Sequence, residues 1–265
     1  NSGEAMAKDY PKIYSLSCMG TLINFYDKNI LIDCINSPDI LPYQTVKKET
    51  LIDIVKKNAP YNKIDFILIS HEHKEHFQPD LTCQILAACP EATLIAPKSV
   101  VLLMRNSTYF KKKFITQIIS IDVDVYKSIE FNLKGMTIQA VRIKHEDHEK
   151  FMHTQNIAYL LYMGEHRILH LGDAAPESEH FELSGLTTEG INCMIVPFKY
   201  LITQKGIEAV AMMNPKYLIA SHFPLKGYDS AKILEKALQI KNSPKSPFPR
   251  FTYFMTEDAP DITLR

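Results

Sequence analysis

The 265-residue chain has no net charge, no long apolar run and no closely paired cysteines, and each absence removes a class of protein. Thirty Lys and Arg balance thirty Asp and Glu, so no overall field draws the chain to nucleic acid or to an anionic membrane surface. Its five cysteines, Cys18, Cys34, Cys83, Cys89 and Cys193, are odd in number and scattered. That pattern fits neither a disulfide framework nor a thiolate zinc site, and reads as small buried apolar residues. Nowhere do roughly 20 apolar residues run together as a membrane-crossing helix requires. The opening NSGEAMAKDYPK likewise lacks the apolar centre of a signal peptide. Cytoplasmic residence is the expectation, with secretion left open because the sequence does not begin with Met. Repeats, low-complexity tracts and linkers are also missing, so residues 1–265 are expected to form one domain.

What is present is 46% hydrophobic and patterned as alternating strands and helices. IYSLS, TLINFY and NILID between Lys12 and Asp33 read as a strand meander, and Val46–Asn58 as a helix from its apolar spacing. The run IDFILI, Ile64–Ile69, is a strand covered on both faces. Pro79–Ala88 suits a helix with proline in its first turn, and TLIA near Ala92 another buried strand. Five β-rich runs from Ile115 to His170, with Gly135 and Gly164 at turns, predict an antiparallel block. Strand and helix then alternate through NCMIVPF, Lys205–Met213, KYLIAS and Ser230–Ile240, ending in a strand at Phe251–Phe254.

The chemistry concentrates where strands end. Three of the ten histidines lie in six positions, His71-Glu72-His73-Lys74-Glu75-His76, directly after the buried IDFILI strand. Imidazole is the commonest protein ligand for zinc and related ions, and one tight loop can offer several to neighbouring ions. A solvated His/Glu-rich loop would need no rigid strand to feed it. Asp173 follows the strand HRILHL through Gly172, His145 follows TIQAVRI, and His222 follows KYLIAS. Singly, each reads as a turn residue or a locally satisfied histidine; four strand ends each carrying a metal-type ligand predict one assembled site.

This ordered set, a strand then HxHxxH, a later single His, a Gly-Asp after a strand and a final strand-end His, resembles that of the metallo-β-lactamase superfamily. The similarity runs from ILID at Ile30–Asp33 to SHF at Ser221–Phe223. IVPFKYLITQKGIEAVAMMNPKYLIASHF is further similar to its ascorbate-phosphate lactonase-like branch. The resemblance implies an α/β (α+β) fold, a four-layer αβ/βα sandwich, with two divalent ions between its halves. Zinc is the first choice, with manganese, iron or nickel as alternatives. It implies that His71, His73 and His145 hold one ion, that His76 and His222 hold the other, and that Asp173 bridges them. Asp33 would orient the histidine loop without touching metal. Where the superfamily usually has Asp before the third histidine, this chain has Glu75, whose extra methylene carries its oxygen about one C–C bond farther out. Glu75 is still expected to coordinate the second ion, with a shifted, weaker or absent second ion in a mononuclear or regulatory variant as the alternative.

The implied activity is metal-dependent hydrolysis, a metal-bound hydroxide attacking a small ester, lactone or phosphoester. Asp173 and Glu75 would serve it, and Lys199 or Tyr200, after a strand on the cleft side, would bind an anionic group or a developing charge. The alternatives are a phosphodiesterase or nuclease, disfavoured by the balanced charge, and a catalytically weak metal-binding sensor. A small-molecule substrate and no membrane partner are expected; oligomeric state has no signature. His148 reads as solvated, His153 as solvated or substrate-facing, and His166, His170 and His180 as structural or exposed.

Overall fold

A computed structural model describes residues 9–38, 40–257 and 259–265. Residues 1–8 of the polar N-terminal stretch lie outside the described residues. The first half of the chain builds one sheet: β1 Lys12–Ser15, β2 Thr21–Phe25, β3 Lys28–Ile32, β4 Phe66–Leu68, β5 Thr93–Pro97 and β6 Ile118–Ile121. Three helices, α1 Lys48–Val55, α2 Pro79–Ala88 and α3 Lys98–Arg105, make its crossovers. The second half supplies β7 Ser128–Leu133, β8 Met136–Arg142, β9 Ile157–Met163, β10 His166–His170, β11 Cys193–Pro197, β12 Tyr217–Ser221 and β13 Phe251–Phe254. Helices α4 Ser178–Leu183, α5 Lys199–Ile202, α6 Gln204–Met213 and α7 Ile233–Lys241 belong to this half. The chain finally returns to the first sheet as β14 Ile262–Thr263.

Among the described residues the sheets run β14-β1-β2-β3-β4-β5-β6 and β13-β12-β11-β10-β9-β8-β7. Each is half antiparallel and half parallel: β3 to β6 are parallel in the first, and β10 to β13 in the second. One apolar layer lies between the sheets, where Ile30, Phe66 and Ile95 meet Ile138, Leu161 and Ile219. Two further layers pack helices on the outer faces, α1 to α3 against the first sheet and α4 to α7 against the second. The result is the expected αβ/βα four-layer sandwich. The inner parallel strands β3, β4, β5, β11 and β12 are covered on both faces, which is why they read as unbroken apolar runs. All five cysteines are free and buried, as small apolar residues would be.

Three local expectations are corrected. Ile118–Ile121 does not belong to the antiparallel block: it pairs parallel with β5 in the first sheet, joined by the βαβ crossover through α3. That helix escapes notice because VVLLM within it is a continuous apolar run without helical gaps, and Leu102 and Leu103 remain exposed. The first helix spans Lys48–Val55 rather than 46–58, and the strand expected at Phe251–Phe254 is present but is followed by one more, Ile262–Thr263. Two residues are too few to carry a period, and this strand exists only because β1 offers an edge.

One hydroxyl ties the sheets together. Tyr159 on β9, fully buried, donates across the interlayer to the carbonyls of Ile69 (2.7 Å) and Ile95 (3.0 Å). Tyr159→Phe keeps the ring and removes the tie, and is expected to destabilise the protein by about 1–3 kcal/mol. Urea unfolding should show a lower midpoint at unchanged slope; an unchanged midpoint would remove the hydroxyl from the account.

Candidate metal centre

β4, β8, β10 and β12 all end at one edge of the sandwich, and there the predicted side chains converge. The loop after β4 turns tightly, with the backbone N–H groups of His76 and Phe77 both donating to the His73 carbonyl. Phe77 is buried and anchors the loop. Asp33, after β3, accepts from the Ser70 backbone N–H at 2.8 Å and from the Ser70 hydroxyl, and its Oδ2 lies 2.8 Å from His76 Nδ1. Accepting a hydrogen bond from that Nδ1–H, the Asp33 carboxylate leaves His76 Nε2 to face the opposite sheet.

From the second sheet, Asp173 sits in a turn that only glycine permits. Gly172 has φ +58°, and a Cβ there would lie 2.5 Å from Asn156 Oδ1 and 2.6 Å from Ser70 Cβ. Asn156 locks the turn, accepting from the Asp173 N–H and donating to the Leu171 carbonyl. His145 Nδ1 lies 2.6 Å from the Glu146 carbonyl, which can only accept, so this nitrogen donates and Nε2 keeps its lone pair.

Asp173 Oδ2 then stands 3.1 Å from His76 Nε2, 3.3 Å from His222 Nε2 and 3.4 Å from both His71 Nε2 and His145 Nε2. Four imidazoles around one oxygen are too many for its hydrogen bonds. Tetrahedral ligands at about 2.1 Å from an ion lie about 3.4 Å from each other, so the spacing fits shared coordination better. Burial gives an independent test: His71 Nε2, His145 Nε2 and Asp173 Oδ1 are enclosed with no hydrogen-bond partner. A cation would satisfy all three. The donor atoms of His71, His73, His145 and Asp173 lie within 4.8 Å of one another, as do those of Glu75, His76, Asp173 and His222. The residues present therefore fit a bound cation, and either group could hold one. Glu75 Oε1 is the outlying donor, 3.7 Å from His222 Nε2.

Charge follows the same geometry. Burial alone would raise the Asp173 carboxyl, but the neighbouring His222 and His76 hold it well below the usual range. Burial, aided by repulsion from His76, pushes His71 down to about 3, leaving it neutral. His76 runs the other way: against burial, Asp173 and Asp33 hold it well above an ordinary imidazole.

Lys199 stands at the rim, 2.5 Å from Glu146 Oε2 and 42% exposed. Tyr200 is corrected: it does not reach the cleft. The turn into α5 sends its ring into the outer core, where its hydroxyl donates to the carbonyls of Ala174 and Ala175 and props the segment after Asp173. His148 is half-buried in the wall of a cavity rather than solvated, and His153 is exposed. His166, His170 and His180 are buried outside the cluster. Sequence reading missed four supports. Ser70 and Asn156 look like ordinary strand-flanking polar residues; Tyr43 packs edge-on to His222 at 4.6 Å, and Phe151 packs on His73 and His145 at 4.8 Å.

Residues 28–234 match the family described as the beta-lactamase superfamily domain. The chain belongs to the metallo-β-lactamase superfamily. It is 24% identical over 180 residues to a UPF0173 protein of Pyrococcus abyssi, covering 67% of this chain and 75% of that protein. The superfamily fold recurs in Igni18, a metallo hydrolase of Ignicoccus hospitalis, at TM-score 0.60 and 14% identity over 96% of this chain and 98% of that one. It recurs also in CmlA, a diiron β-hydroxylase of Streptomyces venezuelae, at TM-score 0.62 and 14% identity over 97% of this chain and 54% of that one. At these identities the likeness is one of fold, and the metallo-β-lactamase fold alone does not name a reaction.

Two outcomes follow. Since Asp173 and Asp33 hold a proton on His76 in the metal-free protein, an ion taking Nε2 must expel it. Metal uptake should release protons, and affinity should climb with pH from 6.5 until His76 loses its proton unaided. Calorimetry in buffers of different ionisation enthalpy reads this; uptake without proton release contradicts it. Asp33→Asn should lower metal affinity by about 10–100-fold in chelator competition while circular dichroism is unchanged.

Proposed function

We propose that the chain is a metal-dependent hydrolase with a two-ion centre. In this reading His71, His73 and His145 hold one divalent ion, His76, His222 and Glu75 the other, and Asp173 is shared. The observation that carries it is the set of four imidazole nitrogens within 3.1–3.4 Å of Asp173 Oδ2. The nitrogen-rich donor set suits zinc, and iron is the first alternative. What such ions supply when bound is Lewis acidity: a nucleophilic water near neutral pH and a polarised carbonyl or phosphoryl oxygen.

The chain's own residues do the rest. Asp173, ionised and fixed by Asn156, accepts a hydrogen bond from the attacking water and orients it. Phe151 over His73 and His145, and Tyr43 against His222, close the flanks and limit bulk water. Lys199, paired only at the rim, can exchange Glu146 for an anionic part of the substrate or a charge developing in the reaction. The proposed substrate is a small ester, lactone or phosphoester, consistent with the absence of a net cationic charge. The 3.7 Å reach of Glu75 favours a second reading in which only the ion at His71, His73 and His145 is tightly held.

Protein loaded with zinc, manganese or iron should hold about two ions per chain by elemental analysis, or about one in the second reading. Less than one, or no turnover across an ester, lactone and phosphodiester panel with each metal, overturns the hydrolase reading. His71→Ala and Asp173→Ala should each cut kcat/KM more than about 100-fold, beyond the loss of a mere supporting residue. Lys199→Met should raise KM at unchanged metal content; an unchanged KM removes Lys199 from substrate binding.

A further inference from the structure

Beside the metal centre lies a cavity of about 260 Å³ whose wall includes His145. Phe151, which covers His73 and His145, lines it too, so cavity and centre share a partition. Its remaining charged lining comes from Arg142, Lys144 and Glu149, with His148 between them. Val125 and Met152 add apolar surface.

Near the cleft, Lys199 is paired with Glu146. Arg142 and Lys144 are not: neither forms an ion pair among the described residues. Arg142 gives one Nη1 hydrogen bond to the Val123 carbonyl, which fixes the guanidinium and leaves its other donors for a ligand. The Lys144 ammonium has only the Tyr126 ring, 6.0 Å away. Counting Arg142, Lys144 and Glu149 leaves one net positive charge, the complement of a monoanion rather than a dianion. The volume falls below the roughly 300 Å³ at which pockets begin to hold whole drug-sized ligands, so the cavity suits one end of a molecule.

We infer that this cavity is a specificity subsite for a carboxylate on an apolar arm, which places the scissile bond of a monoanionic substrate over the metals. The carboxylate meets Arg142 and Lys144, and the arm passes Val125 and Phe151. The placement of the scissile bond rests on the hydrolase reading; the carboxylate site does not.

Hexanoate, its neutral twin hexanamide and hexylphosphonate, which is a dianion at pH about 9, test the site by calorimetric binding to metal-loaded protein at that pH. Hexanoate should bind at least about tenfold more tightly than hexanamide, the worth of one charge-assisted hydrogen bond, and more tightly than hexylphosphonate. Lys144→Met should abolish the advantage over hexanamide while Lys144→Arg keeps it, which separates the subsite from direct binding of carboxylate to the ions. Equal binding of hexanoate and hexanamide, preference for the phosphonate, or an advantage that survives Lys144→Met overturns the assignment. Hexanoate binding that depends on Lys144 in a protein without ester turnover upholds the subsite and fails only the hydrolase reading.

Discussion

A buried carboxylate surrounded by imidazoles is the constraint on which the rest of this structure depends. Asp173 is almost wholly enclosed, and an ion so removed from water is costly unless it is partnered on every side. Its partners come from both halves of the chain: His71 and His76 from the first sheet's loop, His145 and His222 from the second sheet. The left-handed Gly172, the Asn156 clamp and the Tyr200 prop serve to hold this one oxygen where the four rings can reach it.

The fold makes that convergence affordable. Regular strands satisfy their own backbone, so the irregular segments that carry ligands are confined to one edge, where they can point side chains inward. Apolar layers between and outside the sheets keep that edge rigid. Tyr159 adds a polar tie at the depth of Ile69, one residue before Ser70 and the histidine loop. Rigidity behind and polarity in front is the arrangement a preorganised site requires.

Much of this was legible in the residues. The HxHxxH loop, the Gly-Asp turn and the two later histidines announced themselves because each interrupts an apolar strand with a chemically expensive side chain. The four-layer plan came from the family resemblance. Tyr200 misled because adjacency to Lys199 in sequence says nothing about direction at a strand-to-helix turn: one side chain went to the rim and its neighbour into the core. Ser70 and Asn156 were illegible because their importance lies in pairing with groups distant in the chain, 37 residues away for Ser70 and Asp33. Helix α3 and β6 were misplaced because an apolar run carries no period, and period was the only signal available there.

His76 has its two ring nitrogens committed to carboxylates that follow strands of opposite sheets, Asp33 at one end and Asp173 at the other. A planar ring cannot stretch, so it acts as a gauge block between the halves of the sandwich. Shear of one sheet against the other by an ångström would break one contact or the other, and the site would register the slip before the apolar layers did.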